Sequence, residues 1–470
     1  MIFSSIIFLC VFMPIVFIAY YLFPAKARNL ILLLSSLVFY AWGEPAYILI
    51  MISSIIINYL AGRLVSMFKE KSMHVKAKVA FVISIIINIC ILFFFKYTDF
   101  FLQILNNTGL VTIPLMDIAL PIGISFYTFQ TMSYVADVYT GTTKVQKNVV
   151  NFAMYVSMFP QLIAGPVVRY GQVADKISSR KLSSESTSLG IQKFITGLGK
   201  KVIFANQAGA LWEEISSVPA SGNTVLLAWL GAIAYTFQIY FDFSGYSDMA
   251  VGMGQMLGFN FPENFKYPYQ SRSITEFWRR WHISLSTWFK EYVYIPLGGS
   301  RKGPARQAFN LLIVWALTGL WHGAAWNFVI WGIYFFIIIL LEKCFLLKFL
   351  EKIPKAICHI YALFFITAGW VIFACGDISS PVSYIRALAG AGVPIFNNYA
   401  LYKLYTSILL LILMSAASTK LPVYIFNKLA ARINKTACFW IKAVFTFFIL
   451  VTSMALLISG SYNPFLYFRF

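Results

Sequence analysis

The chain has 470 residues, 60% hydrophobic and only 11% charged, a composition outside the range of ordinary water-soluble domains. A soluble core cannot hide that much apolar surface, whereas lipid can. Its formal net charge is +20, but no nucleic-acid recognition module accompanies it. The bases gather in short loops between apolar runs, the pattern of cytoplasmic loops facing anionic lipid.

Crossing a bilayer takes about 20 helical residues. Apolar runs of roughly that order lie near Ile6–Leu22, Leu30–Trp42, Ala46–Leu60 and Ala80–Phe95, then near Ile191–Leu211 and Val225–Phe243. Four more follow near Leu311–Leu341, Ala356–Cys375, Leu401–Ala416 and Ala437–Ser459. The first lacks a basic flank and a small-residue cleavage site, so it reads as a retained span rather than a signal peptide. Several runs are short, which predicts tilted or half-crossing helices. Between Pro121 and Ile163 the pattern is interrupted by Pro121, Gly123, Gly141 and Pro160. Re-entrant pieces are expected there, because irregular backbone survives at membrane depth only where protein or a hydrated cavity covers it. The basic loops can all be cytoplasmic if both termini face outward, which leaves the acidic Trp212–Asn223 loop outside. No repeat or soluble module is visible, so residues 1–470 read as one transmembrane domain. The six cysteines show no metal spacing and read as small buried hydrophobes.

Two of the four histidines lie in unusual settings. His282 closes the run Phe277-Trp278-Arg279-Arg280-Trp281-His282, and His322 lies in Leu320-Trp321-His322-Gly323. A charged group at membrane depth costs roughly 2.5–3.5 kcal/mol on insertion scales. A neutral imidazole reduces that cost and is the form a general base needs. If Thr275–Tyr294 is one helix, Arg279, His282, Ser286 and Lys290 share a stripe, with Trp278, Trp281, Leu285, Trp288 and Tyr292 beside it. The plainer alternative has the arginines serving lipid headgroups, with Glu276 pairing Arg280 at i, i+4. Asp242 and Asp248 read as a buried polar network rather than an acid–base pair or a metal site, and no metal is expected. His74 and His359 read as surface or interface residues. The Leu297–Gly303 loop, rich in glycine and bases, reads as a cytoplasmic turn without a P-loop pattern.

Beyond these residues, the chain resembles the membrane-bound O-acyltransferases, and among them the alginate O-acetyltransferase AlgI-like branch. The resemblance rests on Phe39-Tyr40-Ala41-Trp42-Gly43-Glu44-Pro45, Ile124–Gln130, Phe159–Pro166 and Phe241–Met249. Its most specific blocks are Phe277–Trp288 and Thr318–Gly323, and Tyr462-Asn463-Pro464-Phe465 completes it. It implies an all-α polytopic membrane protein, a helical bundle around a central funnel with re-entrant helices. It further implies an acyl donor arriving from the cytoplasm and a partner acyltransferase, extracytoplasmic or membrane-anchored, that completes transfer to an extracellular polysaccharide.

Acyl transfer from a thioester to a hydroxyl needs a base and support for the oxyanion. His322 is the candidate base, with Trp321 and Trp326 walling the site and Asn327 orienting the ring or meeting the acyl oxygen. The alternative is a hydrogen-bonded histidine that merely packs two helices. His282 would line the donor's route, with Trp281 and Ser286 beside it, and Arg279, Arg280 and Lys290 would meet donor phosphates. The expected co-substrate is acetyl-CoA or an acyl-carrier thioester, with no bound cofactor. Without a GxSxG elbow, a covalent serine intermediate is not indicated. D-alanyl transfer towards teichoic acid is the rival chemistry. A glycan flippase is the rival class, and it would call for paired repeats that are not seen.

Overall fold

The computed structural model describes residues 1–163, 165–375, 379–460 and 462–466; Ala164 of the Phe159–Pro166 motif lies outside them. Among the described residues there is no strand. The chain opens with α1 (Met13–Leu22), α2 (Arg28–Gly43), α3 (Ile48–Glu70), α4 (His74–Asn107), α5 (Ile124–Thr140), α6 (Val149–Ser157), α7 (Phe159–Leu162) and α8 (Tyr170–Ser178). Next come α9 (Ser184–Gly199), α10 (Asn206–Ser216), α11 (Val225–Met256), and the short α12 (Ile274–Arg280) and α13 (Ile283–Phe289). The remainder is α14 (Pro304–His322), α15 (Trp326–Leu341), α16 (Leu347–Leu350), α17 (Lys355–Ala374), α18 (Ser379–Leu388), α19 (Asn398–Ala417), α20 (Leu421–Ala430) and α21 (Lys435–Ser459). Seven helical stretches among the described residues are long and apolar enough to cross a membrane: α3, α4, α11, Trp326–Leu350, α17, α19 and α21. The protein is a multi-pass, all-helical membrane protein.

Two compact units divide the chain: Met1–Phe194 with Ser247–Pro262, and Ile195–Tyr246 with Glu263–Phe470. In the first unit the interrupted region around Pro121–Ile163 becomes α5 and two short helices. Gly123 (φ 77°) and Gly141 (φ 84°) flank α5 in left-handed conformations that glycine adopts without strain. Lys69 Nζ donates to the Tyr139 carbonyl at 2.6 Å, placing a cation at the C-terminal end of α5. Asn58 and Asn88 exchange amide hydrogen bonds at 3.0 and 2.8 Å between α3 and α4. That reciprocal pair satisfies both buried amides where no water competes. The expected Ala80–Phe95 run extends to His74–Asn107, because no breaker intervenes before Gly109.

In the second unit the expected run Leu311–Leu341 is not one helix: Gly323–Ala325 divides it into α14 and α15. These two pack backbone to backbone. A Cβ on Gly332 would sit 2.5 Å from the Trp315 carbonyl, and one on Gly319 2.4 Å from that of Phe328. Small residues permit such an approach between helices in lipid. A buried ion pair, Lys201 Nζ to Asp242 Oδ1 at 2.6 Å, holds the last segment. Asp242 Oδ2 accepts the Leu466 N–H at 2.9 Å, and Lys201 donates to the Pro464 carbonyl. Of the six cysteines Cys358 is buried as expected; Cys375 and Cys438 are half-buried, and Cys10, Cys90 and Cys344 are exposed, a placement that costs a thiol little on a lipid-facing helix. His74 is exposed at the start of α4, and His359 Nδ1 lies 3.1 Å from the Ser271 carbonyl.

Overpacking a closed helix contact costs about 1–3 kcal/mol. Gly332→Val should therefore cut the yield of monodisperse protein. Gly171→Ala should leave it unchanged, since its added carbon meets Thr143 Oγ1 at an ordinary 3.8 Å; size-exclusion profiles of the two variants check this.

Candidate active site

The two histidines reach one cavity by different routes. His322 is the last residue of α14, where the chain leaves the helix at Gly323. Its buried ring is enclosed by Trp321 (centroids 4.9 Å apart), Trp331 (5.0 Å) and Phe373 (5.1 Å). Gly323 makes this exit possible, because a Cβ there would lie 2.2 Å from the Phe328 ring.

His282 lies in a backbone break. The expected continuous Thr275–Tyr294 helix does not form: α12 stops at Arg280, and His282 takes a left-handed conformation (φ 42°, ψ 54°) before α13. Histidine tolerates that region better than most residues, at a cost of order 1–3 kcal/mol. No glycine or proline marks the break in the sequence. It is held instead by the preceding segment, whose groups replace the missing helical partners. Lys266 N–H donates to the Arg280 carbonyl and Ile283 N–H to the Asn264 carbonyl, each at 3.0 Å. Asn264 Oδ1 then accepts the Ser284 N–H at 3.1 Å and the Ser284 hydroxyl at 2.7 Å, with His282 Nδ1 3.3 Å away. Because a backbone N–H points at this atom, it is the amide oxygen, and Nδ1 must carry the proton. Nε2 is left as the lone-pair nitrogen. Burial pushes the imidazole down to about 3, so His282, which lies outside the seven crossing stretches, is neutral under physiological conditions.

Both rings line a cavity of about 230 Å³ in the second unit. Around it stand Arg279, Ser286, Lys343 and Trp281 with hydroxyls of Thr275 and Thr318. Trp278 also lines it, and the indole N–H has no acceptor among the described residues. Trp278 packs between Trp315 (4.8 Å) and Phe335 (5.0 Å), so that N–H is fixed in direction. The Trp321 ring bridges the histidines, 5.9 Å from His282.

Comparison of the whole chain with known proteins shows its family. Residues 91–383 match MBOAT, the membrane-bound O-acyltransferase family. The chain belongs to that family. It is 37% identical to the probable alginate O-acetylase AlgI of Pseudomonas putida, over the whole of both chains. It is 40% identical to that of Azotobacter vinelandii, over 80% of this chain and 76% of the relative. The peptidoglycan O-acetyltransferase of Helicobacter pylori is 32% identical, over 83% of this chain and 80% of the relative. The protein is an O-acyltransferase.

Within this membrane-bound O-acyltransferase the cavity gathers some expected site residues and leaves out others. Arg279, Trp281, His282, Ser286 and His322 line it, and Trp321 meets both imidazoles edge to face. Arg280 instead pairs with Glu276 at 2.6 Å and donates to the Lys266 carbonyl at 3.2 Å, and Lys290 is exposed beyond α13. The break explains Lys290, since it rotates the two halves of the expected stripe apart; Arg280 makes the i, i+4 pair with Glu276 that was the plainer alternative. Asn327 does not orient His322; its Nδ2 donates to the Phe373 carbonyl at 3.2 Å. Trp326, at the start of α15, is 48% exposed and does not line the cavity. Asp242 belongs to the Lys201 pair, whereas Asp248 lies 3.6 Å from Lys193 in the first unit. Among the described residues no group of three His, Cys, Asp or Glu is placed to hold a metal ion.

Three positions escaped the sequence reading. Asn264 was one polar residue between aromatics, without a motif. Trp278 was read as a member of the aromatic stripe, with no role of its own. Glu342 is fully buried, with Oε1 and Oε2 accepting the Ile274 and Thr275 N–H groups, each at 2.7 Å, and Oε1 the Tyr361 hydroxyl at 3.1 Å. It thereby anchors the first turn of α12, a favourable place for a carboxylate. The Ser273-Ile274-Thr275-Glu276 capping pattern was the available signal for that start.

Stripping a buried hydrogen-bond partner costs about 1–3 kcal/mol, or roughly 10- to 100-fold in rate. Asn264→Ala should lower kcat by that factor with little change in donor KM, and Asn264→Asp, which keeps the acceptor oxygen, should recover most of it. Steady-state kinetics on the three proteins decide the point.

Proposed function

We propose that this enzyme takes an acetyl group from acetyl-CoA at the cytoplasmic face and passes it towards hydroxyls of an extracytoplasmic polysaccharide. It would act in the cytoplasmic membrane, with a partner acyltransferase that finishes the transfer. The observation that carries this reading is the cavity holding both uncharged-type bases, His322 and His282, beside the cations Arg279 and Lys343. Polysaccharide O-acetylation in the names of relatives matched over most or all of the chain supports the substrate class.

His322 serves as general base. It removes the proton of the attacking hydroxyl, on the acceptor or on the partner's nucleophile, as that oxygen bonds to the thioester carbonyl. The carbonyl oxygen gains the negative charge, and the Trp278 N–H is the donor available to it. Collapse of the tetrahedral species breaks the carbon–sulfur bond, and the departing thiolate takes the proton from His322. His282, protonated on Nδ1, offers Nε2 as an acceptor that aligns an incoming hydroxyl or the departing thiol. Arg279 and Lys343 suit the phosphates of the donor. The acceptor's approach is supported by a second cavity of about 90 Å³, lined by Tyr235, Gln238 and Tyr462 and reaching Phe373, whose ring packs on His322.

A positioned general base contributes about 10²–10⁴ in rate. His322→Ala should lose at least that factor in acetyl transfer from labelled acetyl-CoA while remaining monodisperse. Near-normal transfer by the variant would remove His322 from the chemistry. Consumption of a D-alanyl carrier thioester in place of acetyl-CoA would overturn the donor assignment. Arg279→Ala should raise the KM for acetyl-CoA about 10-fold, the loss of one charge-assisted contact of about 1.5–3 kcal/mol partly offset by solvent, with kcat nearly unchanged. An unchanged KM would assign that arginine to lipid headgroups.

A further inference from the structure

A cavity far along the chain from the catalytic histidines belongs to none of this chemistry. In the first unit α3 and α4 leave between them a groove of about 530 Å³, lined from Ile57 and Ile87 at one end to Phe68 at the other. Its lining is apolar except for Lys76 and Ser84, and the Ser84 hydroxyl is directed 3.3 Å away onto Asn58 Oδ1. The Asn58–Asn88 amide pair ties the two helices beneath it, so the groove has a fixed floor.

Length and charge identify its occupant. From Ile57 to Phe68 the helix rises about 16 Å, close to half of a hydrocarbon core of about 30 Å. The groove therefore matches one leaflet and one acyl chain; a transmembrane helix of a partner would run the full thickness and overhang it. The end near Phe68 opens at the α3–α4 turn, where Lys71, Lys76 and Lys78 are exposed. The neighbouring Lys69 is committed to the α5 carbonyls. The distribution of bases along the chain puts this turn on the cytoplasmic side, whose leaflet carries the anionic lipid. We propose that the α3–α4 groove seats one anionic phospholipid of the cytoplasmic leaflet, its acyl chain along Val79 and Ile87 and its phosphate at Lys76.

The site is tested by exchanging the full-length protein into detergent with equal amounts of phosphatidylglycerol and phosphatidylcholine and counting retained lipid by native mass spectrometry. Wild type should keep one phosphatidylglycerol in preference to phosphatidylcholine. Lys76→Glu, a surface change that leaves folding intact, should weaken retention at least tenfold. Val79→Trp, which fills the groove, should do the same. Ile86→Trp should not, since Ile86 is 53% exposed and does not line the groove. Equal retention of the two lipids, or normal phosphatidylglycerol retention by both groove variants, would overturn the proposal. So would a dimer that Val79→Trp dissociates, which would assign the groove to a second copy.

Discussion

The active site depends on one amide oxygen. Asn264 Oδ1 collects the Ser284 N–H, the Ser284 hydroxyl and His282 Nδ1, and through them it holds open a break in what would otherwise be a continuous helix. At the break, residues 264–266 supply partners for the Arg280 carbonyl and the Ile283 N–H, which replaces part of what the interrupted helix loses. Everything that makes His282 useful follows from that arrangement: its place on the cavity wall, its tautomer and its uncharged state.

The same logic governs His322 at the end of α14. A helix that stops inside an apolar bundle exposes carbonyls that lipid cannot satisfy. The structure stops it where Gly323 lets Phe328 close over the exit and where Trp321, Trp331 and Phe373 surround the ring. Two helix interruptions thus bring two imidazoles to one cavity, each packed against aromatic rings. An aromatic enclosure disfavours a charged imidazole, and burial holds His282 well below the ordinary imidazole range, the neutral form that proton removal requires. Glu342 shows where the buried negative charge goes instead: onto the first turn of α12, away from the imidazoles.

The long spans were legible in the sequence because hydrophobic length is what lipid selects: α2, α17, α19 and α21 begin and end near their apolar runs, and α11 begins at its run and continues to Met256. His322 and His282 were legible because an ionisable residue in such surroundings is rare. The break at His282 was not. Phe277–Phe289 contains no glycine or proline, and the long-range hydrogen bonds from Asn264 override a locally helical pattern. That single miss misplaced Lys290, whose stripe membership held only for an unbroken helix; Arg280 lies within α12 and makes the i, i+4 pair with Glu276. Asn327 and Trp326 were assigned by nearness to His322 in the chain, but the turn at Gly323–Ala325 points them elsewhere. Asn264 and Glu342 act across the fold, 18 residues from His282 and 68 from Ile274, distances at which no local pattern speaks.

The central claim is that the cavity between His282 and His322 receives the thioester. A structure of the protein with a non-hydrolysable thioether analogue of acetyl-CoA tests it most directly. The account requires the analogue's acyl carbon within reach of His322, with its phosphates towards Arg279 and Lys343. An analogue bound with its acyl end remote from both imidazoles, at an affinity matching that of the working enzyme, would contradict it.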